Sequence, residues 1–435
     1  MSRQERAVLV DRVVVPFEGR GAGAGPLAWG QQQVWEAMVD IGSSLPMGGV
    51  VAVTDGRTVE DFVRELRFHM CRYPSMRTLL RFGGDGTVTQ EIFGEGETAL
   101  EIHEGEDPGE DPAAVAEALA ARWREREFDY DSEWPLRMGV VRHRGAVTHV
   151  VALMCHIAAD LGGVEVMMRD LAAADPGPHT APSPLDLALA QREPGMRRHT
   201  AAAMRYWEHH LRTVPLSVLG DAADTGDPTF CRLHWRSPAL HLASARLAAR
   251  AGADPAWVLL AALATGLHRV GRSPFVALGI IGNRFRPSLR EVVSPLTQDG
   301  LCVLDVAGAS AEQAIARARS ASMSASKYAY YDPADRAALE ERVGRDRGAR
   351  VDLRVLYNDR RTSAAPPPGA EDPRAALART ELREEPAAFL GPKLMFHVEE
   401  SPDAVSLIME VDTRYLSLPD ARRLLKEAER FAVEA

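Results

Sequence analysis

Hydrophobic positions in the first part of the chain switch between a period near two and a period near 3.6. Residues 8–17 are rich in Val with broken alternation and predict a strand. Residues 50–54 predict a second, short strand ended by Asp55-Gly56. Residues 31–40 read as a helix. Thr58-Val59-Glu60-Asp61 is a variant capping box, and Val59, Phe62, Leu66 and Met70 follow at helical spacing. Residues 79–82 and 87–93, split by Gly83-Gly84-Asp85-Gly86, predict a hairpin. Val115, Leu119 and Trp123 place one apolar stripe on a helix over 113–127. Residues 147–154 form an apolar run of strand character, and Val164, Met167, Met168 and Leu171 stripe the helix after it.

A break follows. Residues 175–184 are rich in Pro, Ala, Ser and Gly, the composition of a linker, and a helix restarts over 198–211 with Tyr206-Trp207 inside it. Residues 256–270 are apolar on nearly all faces, which predicts a largely buried helix. Strands are expected over 275–281, 301–306 and 353–357, and helices over 311–325 and 333–342. Residues 360–386, with Pro366-Pro367-Pro368 and alternating charges, read as a surface excursion. A strand pair over 394–398 and 404–411 and a helix over 418–432 close the chain. The expected class is α/β, in two successive sheet-and-helix subdomains: residues 1–175, a linker over 176–200, and residues 201–435. A length of 435 residues also exceeds one ordinary core.

Composition narrows the function classes. Apolar residues make up 46% and charged residues 26%, as in a globular protein. A net charge of -10 argues against a nucleic-acid footprint. Cys71, Cys155, Cys231 and Cys302 are scattered with no C-x-x-C pair, which predicts reduced thiols, a cytoplasmic location and no zinc site. No apolar run approaches a membrane span, and charges within residues 6–15 leave no signal-peptide core.

The chemistry-bearing stretch is Met154-Cys155-His156-Ile157-Ala158-Ala159-Asp160-Leu161-Gly162-Gly163. A strand that delivers a histidine at its end, with a carboxylate four positions on in a tight turn, can present a base to a cleft. Taken alone, a buried histidine satisfied by its own backbone fits the pattern as well. Other motifs offer less. The Gly-rich residues 19–25 lack the following helix N-terminus that a dinucleotide fingerprint needs, so no cofactor is expected there. There is no P-loop and no G-x-S-x-G elbow. His209-His210 reads as the solvated face of a helix, without partner ligands nearby in sequence. Tyr328, Tyr330 and Tyr331 fit packing at a helix end or the lining of a cleft.

Five stretches, in order, resemble the condensation domains of nonribosomal peptide synthetases. Leu27-Ala28-Trp29-Gly30-Gln31-Gln32-Gln33-Val34-Trp35 is similar to the family's Ser-x-Ala-Gln-x-Arg-Leu-Trp opening. Arg72-Tyr73-Pro74-Ser75-Met76-Arg77-Thr78 is similar to Arg-His-x-x-Leu-Arg-Thr. Cys155-His156 to Asp160 resembles the His-His-x-x-x-Asp-Gly core. Tyr206-Trp207-Glu208-His209-His210-Leu211 resembles Tyr-Trp-x-x-x-Leu, and residues 282–304 resemble the late Gly-Arg…Gly-x-x-x-Asn segment.

The resemblance implies two chloramphenicol-acetyltransferase-like subdomains in a V-shaped pseudo-dimer around a central tunnel. It implies a free-standing acyltransferase of natural-product biosynthesis, forming an amide or ester. The donor would be a thioester on the phosphopantetheine arm of an acyl- or peptidyl-carrier protein acting in trans. The acceptor would be a small-molecule amine or alcohol, with no metal, no cofactor of its own, no nucleic acid and no membrane partner. His156 takes the catalytic position; Asp160 and Arg284 are a shape-fixing ion pair; Cys155 and Gly162 are site-shaping positions.

Three departures stand out: Cys155 for the family's first histidine, Leu161 for its glycine with Gly162-Gly163 displaced by one, and Gln298 for its late asparagine. They keep open a non-catalytic recruiting domain. An acyl-CoA-dependent acyltransferase is the third reading.

Overall fold

The computed structural model describes residues 7–107, 109–173, 176–224, 227–361, 371–388 and 391–435. The chain forms two compact units. The first takes Met1–Arg197 and Gly282–Thr297, and the second takes Arg198–Ile281 and Gln298–Ala435.

The first unit runs β1 (Ala7–Glu18), β2 (Gly23–Pro26), α1 (Trp29–Ile41), β3 (Met47–Ala52), α2 (Val59–Arg72), β4 (Thr78–Phe82), β5 (Val88–Ile92), β6 (Glu95–Gly105), α3 (Pro112–Glu125), β7 (Leu136–His143), β8 (Ala146–Met154), α4 (Leu161–Ala172) and α5 (Pro184–Ala190). Its main sheet has the order β1-β6-β7-β8-β3, with β6 and β7 parallel and the other pairs antiparallel. A small sheet, β2-β5-β4, stands apart. Phe62, Leu66 and Met70 of α2 pack with Val15, Leu100, Val140 and Val150 on one face of the main sheet. Val115, Leu119 and Trp123 of α3 pack with Val141, Val151 and Leu153 on the other. Val293, far along the chain, joins the α2-side core, so residues 282–297 are packed into this unit.

Helix α6 (Pro194–Thr213) leads into the second unit. That unit continues with β9 (Phe230–Ser237), α7 (Pro238–Ala251), α8 (Pro255–Arg269), β10 (Phe275–Ile281), β11 (Gln298–Leu304), α9 (Ala311–Lys327), α10 (Pro333–Arg347), β12 (Val355–Asp359), α11 (Pro373–Ala376), β13 (Glu381–Pro386), β14 (Leu394–Glu399), β15 (Val405–Asp412) and α12 (Leu418–Glu434). Its seven-stranded sheet has the order β11-β10-β12-β14-β15-β9-β13. The sequence predicts α8 to be buried nearly all round, and every residue from Val258 to Leu267 is buried. Among the described residues no single helix is long and apolar enough to cross a membrane.

Several local expectations need correction. The Gly-rich stretch is not all loop: Gly23–Pro26 pairs with β5. The stretch read as a linker, 176–200, carries α5 and the start of α6. Ser183 Oγ accepts from the Asp186 N–H at 3.1 Å, and the Asp186 carboxylate caps Ser183 in return, so a capping box starts a helix inside Pro-rich sequence. The excursion over 360–386 ends in β13, an edge strand on β9; its alternating charges are those of a strand with a solvated face. Pro366-Pro367-Pro368 lie outside the described residues. Strands β6, β7 and β9 and helix α7 are further elements that the hydrophobic pattern alone does not announce.

Candidate functional site

Strand β8 is held between β7 and β3, and Met154, its last residue, is paired with Leu136 on one side and Met47 on the other. The sheet therefore fixes where the next two residues emerge. The Cys155 N–H donates to the Pro135 carbonyl at 2.9 Å, and the His156 N–H donates to the Ser44 carbonyl at 3.3 Å. A tight turn follows, closed by the Ala158 N–H on the Cys155 carbonyl at 3.1 Å. It ends at Asp160, the N-cap of α4.

His156 is half-buried. Its Nδ1 lies 2.9 Å from the Ala159 carbonyl. A carbonyl can only accept, so Nδ1 carries a proton, and in the neutral ring the lone pair is on Nε2. Nε2 has no hydrogen-bond partner among the described residues. This is the tautomer that a base needs, fixed by the protein's own backbone.

Asp160 is 3% exposed, and all its acceptor capacity is used. Oδ1 accepts from the Gly163 N–H at 2.9 Å and from the Arg284 guanidinium; Oδ2 accepts from the Leu296 N–H at 2.9 Å and the Thr297 hydroxyl at 3.1 Å. A carboxylate so engaged is an anchor and not a second base. Arg284 also donates to the Val292 carbonyl at 2.6 Å and the Ser294 carbonyl at 3.3 Å. The pair thus ties the 282–297 segment to the turn that carries His156.

Gly162 explains the displaced glycine. A Cβ there would lie 2.2 Å from Arg284 Nε and 2.5 Å from its Cδ, so the arginine crosses the helix where only hydrogen fits. The glycine is a seat for Arg284. Leu161, one residue earlier, is 48% exposed.

Cys155 is 1% exposed, and its Sγ donates to the Ser44 carbonyl at 3.7 Å. Burial pushes the thiol up to about 12, so it is neutral near pH 7 and is no nucleophile. It packs with Leu27, Val34, Leu80, Phe128 and Ile157, which is the role of a small apolar filler.

The structure thus brings Cys155, His156, Asp160, Gly162 and Arg284 together in the first unit. Gln298 belongs to the second unit. It is fully buried, and its Nε2 donates to the Tyr331 carbonyl at 2.9 Å. The tyrosines fit the packing reading: Tyr331 is fully buried with its hydroxyl on the Asp299 carbonyl at 2.8 Å, and Tyr328 stacks on Tyr206 at 4.7 Å. His210 is half-buried against Tyr206, and only His209 is exposed. Among the described residues no group of three His, Cys, Asp or Glu is placed to hold a metal.

The two early motifs are structural. Gln31 of the first caps the Ala28 N–H at 3.0 Å. A Cβ on Gly30 would lie 2.2 Å from the Pro295 carbonyl, so the start of α1 backs directly onto the 282–297 segment. In the second motif Arg72 pairs with Asp170 at 2.8 Å. Arg77 is fully buried and donates to the Met70, Phe93 and Arg20 carbonyls. Sequence reasoning misses Ser44, whose carbonyl receives both Cys155 and His156. Its contribution is a backbone oxygen, which any residue type carries.

Comparison with known proteins gives one consistent answer. The family model described as "Condensation domain" matches residues 30–339. A protein of Salinispora arenicola described as a probable non-canonical nonribosomal peptide synthetase is 29% identical over 280 residues; the match takes in 58% of this chain and 3% of that protein. The chain therefore spans a small part of the length of that relative. Among solved structures, the condensation domain of chain release in the enacyloxin polyketide synthase superposes with a TM-score of 0.69 at 18% identity, covering 96% of this chain and 84% of the other. SgcC5 from Streptomyces globisporus gives 0.69 at 17% identity, covering 94% and 98%.

Proposed function

The chain belongs to the condensation-domain family, and on that premise we propose that it transfers an acyl or aminoacyl group from a carrier-protein thioester to an amine or hydroxyl acceptor. The observation that carries this reading is the Nδ1–H bond from His156 to the Ala159 carbonyl, which in the neutral ring puts the lone pair on an unengaged Nε2. In the reaction the acceptor's N–H or O–H proton passes to Nε2 as its lone pair attacks the thioester carbonyl. The tetrahedral intermediate then collapses, the C–S bond breaks, and the imidazolium returns the proton to the departing thiolate. Holding both substrates in line supplies much of the rate. The thioester would arrive on a phosphopantetheine arm of a carrier protein acting in trans, and the product would be an amide or ester of natural-product type.

One observation favours a second reading, a recruiting domain without turnover: Leu161 stands exposed where the resemblance expects glycine. A single-turnover assay by mass spectrometry, with the same acyl group on a carrier protein and on coenzyme A, tests the proposal. Product from the carrier-bound donor alone is the expected result. Product only from acyl-CoA would replace the carrier with a soluble thioester. Carrier binding with no product from any acceptor would favour recruitment.

A further inference from the structure

The 42–46 loop between α1 and β3 meets the His156 turn through the Ser44 carbonyl, and Leu45 packs against the cluster that holds Cys155 and Ile157. The Ser44 carbonyl accepts from the His156 N–H at 3.3 Å and from the Cys155 thiol at 3.7 Å. The Ser44 hydroxyl accepts from the Phe128 N–H at 3.0 Å and shares a 2.9 Å hydrogen bond with the Tyr130 hydroxyl. Ser44 is 3% exposed, so these bonds are made out of water. Leu45, next in the chain, holds φ at 44°, a left-handed conformation that a residue with a Cβ adopts only when its surroundings enforce it. Tyr130 is fixed in turn by Trp35, whose ring meets it edge-on at 5.1 Å. Phe128 is capped by the Arg137 guanidinium, 3.8 Å above its ring. Trp35 closes the first family-like motif, so that motif connects physically to the turn carrying the histidine.

We propose that Ser44 and Tyr130 are positioning residues for His156. They anchor one side of the turn from a rigid aromatic cluster while Asp160 anchors the other. Two restraints act on the ring: the Ser44 carbonyl holds the His156 backbone, and the Ala159 carbonyl holds Nδ1. Without the serine hydroxyl, the Phe128 N–H and the Tyr130 hydroxyl lose their common partner, and the Ser44 carbonyl is no longer tethered. The His156 backbone then shifts against β8, and the aim of Nε2 changes without any loss of substrate-binding surface. The inference rests on the reading of His156 as the base.

The test combines kinetics with a readout that needs no turnover. Ser44→Ala should lower single-turnover kcat by about 10- to 100-fold with KM within about twofold, since a displacement near 1 Å suffices for about 10²-fold. Ser44→Thr, which keeps the hydroxyl, should restore kcat to within about threefold, and Tyr130→Phe should lie between the two. In ¹⁵N spectra of the His156 ring, the intact protein should show one tautomer, protonated at Nδ1, and Ser44→Ala should show a mixture. If Ser44→Ala fails to fold, Tyr130→Phe decides by the same kcat and tautomer criteria. Ser44→Ala and Tyr130→Phe both within twofold of the parent, with a single tautomer kept, would overturn the proposal. So would a loss that Ser44→Thr does not repair. If His156→Ala leaves turnover unchanged, the reading of His156 as base fails, and the tautomer spectra still report on positioning.

Discussion

The Cys155 thiol donates to the Ser44 carbonyl, and burial pushes it up to about 12. At pH 8 its thiolate fraction is then on the order of 10⁻⁴. Iodoacetamide at pH 8 should label half-buried Cys71 well before Cys155, read by peptide mass spectrometry. Cys155→Ala should keep turnover within about tenfold, a margin near 1.4 kcal/mol. Loss of all turnover in a folded Cys155→Ala protein would point instead to covalent catalysis. At this scale the sequence is legible where chemistry sits in a side chain at the end of a regular element. His156 ends an apolar strand run, and Asp160 follows where a cap belongs. The partnership of Asp160 with Arg284 spans 124 positions, so only the family resemblance suggests it. Ser44 is illegible because its carbonyl does the holding.

Helix α4 is built around its first turn. Asp160 caps it, and Gly162 lets Arg284 cross it. Gly162→Ala forces a methyl into the guanidinium and should uncouple the buried ion pair, at a cost of about 3–5 kcal/mol, the range for breaking such a pair. Chemical denaturation should show that loss, and a change under 1 kcal/mol would mean that the arginine relaxes freely. On α2, His69 is 6% exposed with no partner on Nδ1, and burial lowers its pKa to about 4. The folded state therefore stays neutral while the unfolded chain binds a proton as pH falls below its ordinary value near 6.5. This group contributes stability that is present above about 6.5 and is lost as pH falls toward 4. Between pH 7 and 5, parent stability should drop by roughly 2 kcal/mol more than that of His69→Gln. Equal slopes for the two proteins would contradict the assignment. Capped, striped helices such as α2 and α3 are readable from sequence. β6 is not, because Glu95, Glu97, Glu101 and Glu104 interrupt its apolar positions; Glu101 nonetheless pairs with Arg12 across β1 and with His103. Helix α7 hides for another reason, since its Ala-rich stripe carries little hydrophobic contrast.

Residues 282–297 leave β10, pack into the first unit and return to start β11, which makes the division of the molecule discontinuous in sequence. Composition marks a chain division near residue 200 and cannot show this excursion, because Val293 and Arg284 gain their partners only in three dimensions. The excursion matters because it brings Arg284, the Leu296 N–H and the Thr297 hydroxyl to Asp160, which ends the His156 turn. The proposed chemistry depends on one atom, Nε2 of His156, in a ring held through Nδ1 by the Ala159 carbonyl. Single-turnover acyl transfer from a carrier-bound thioester, compared between the parent protein and His156→Ala, tests this directly. The expected result is a rate lower by about 10²–10⁴ in His156→Ala, the usual contribution of a positioned base, with fold and carrier affinity unchanged. Product formed by His156→Ala at the parent rate would contradict it.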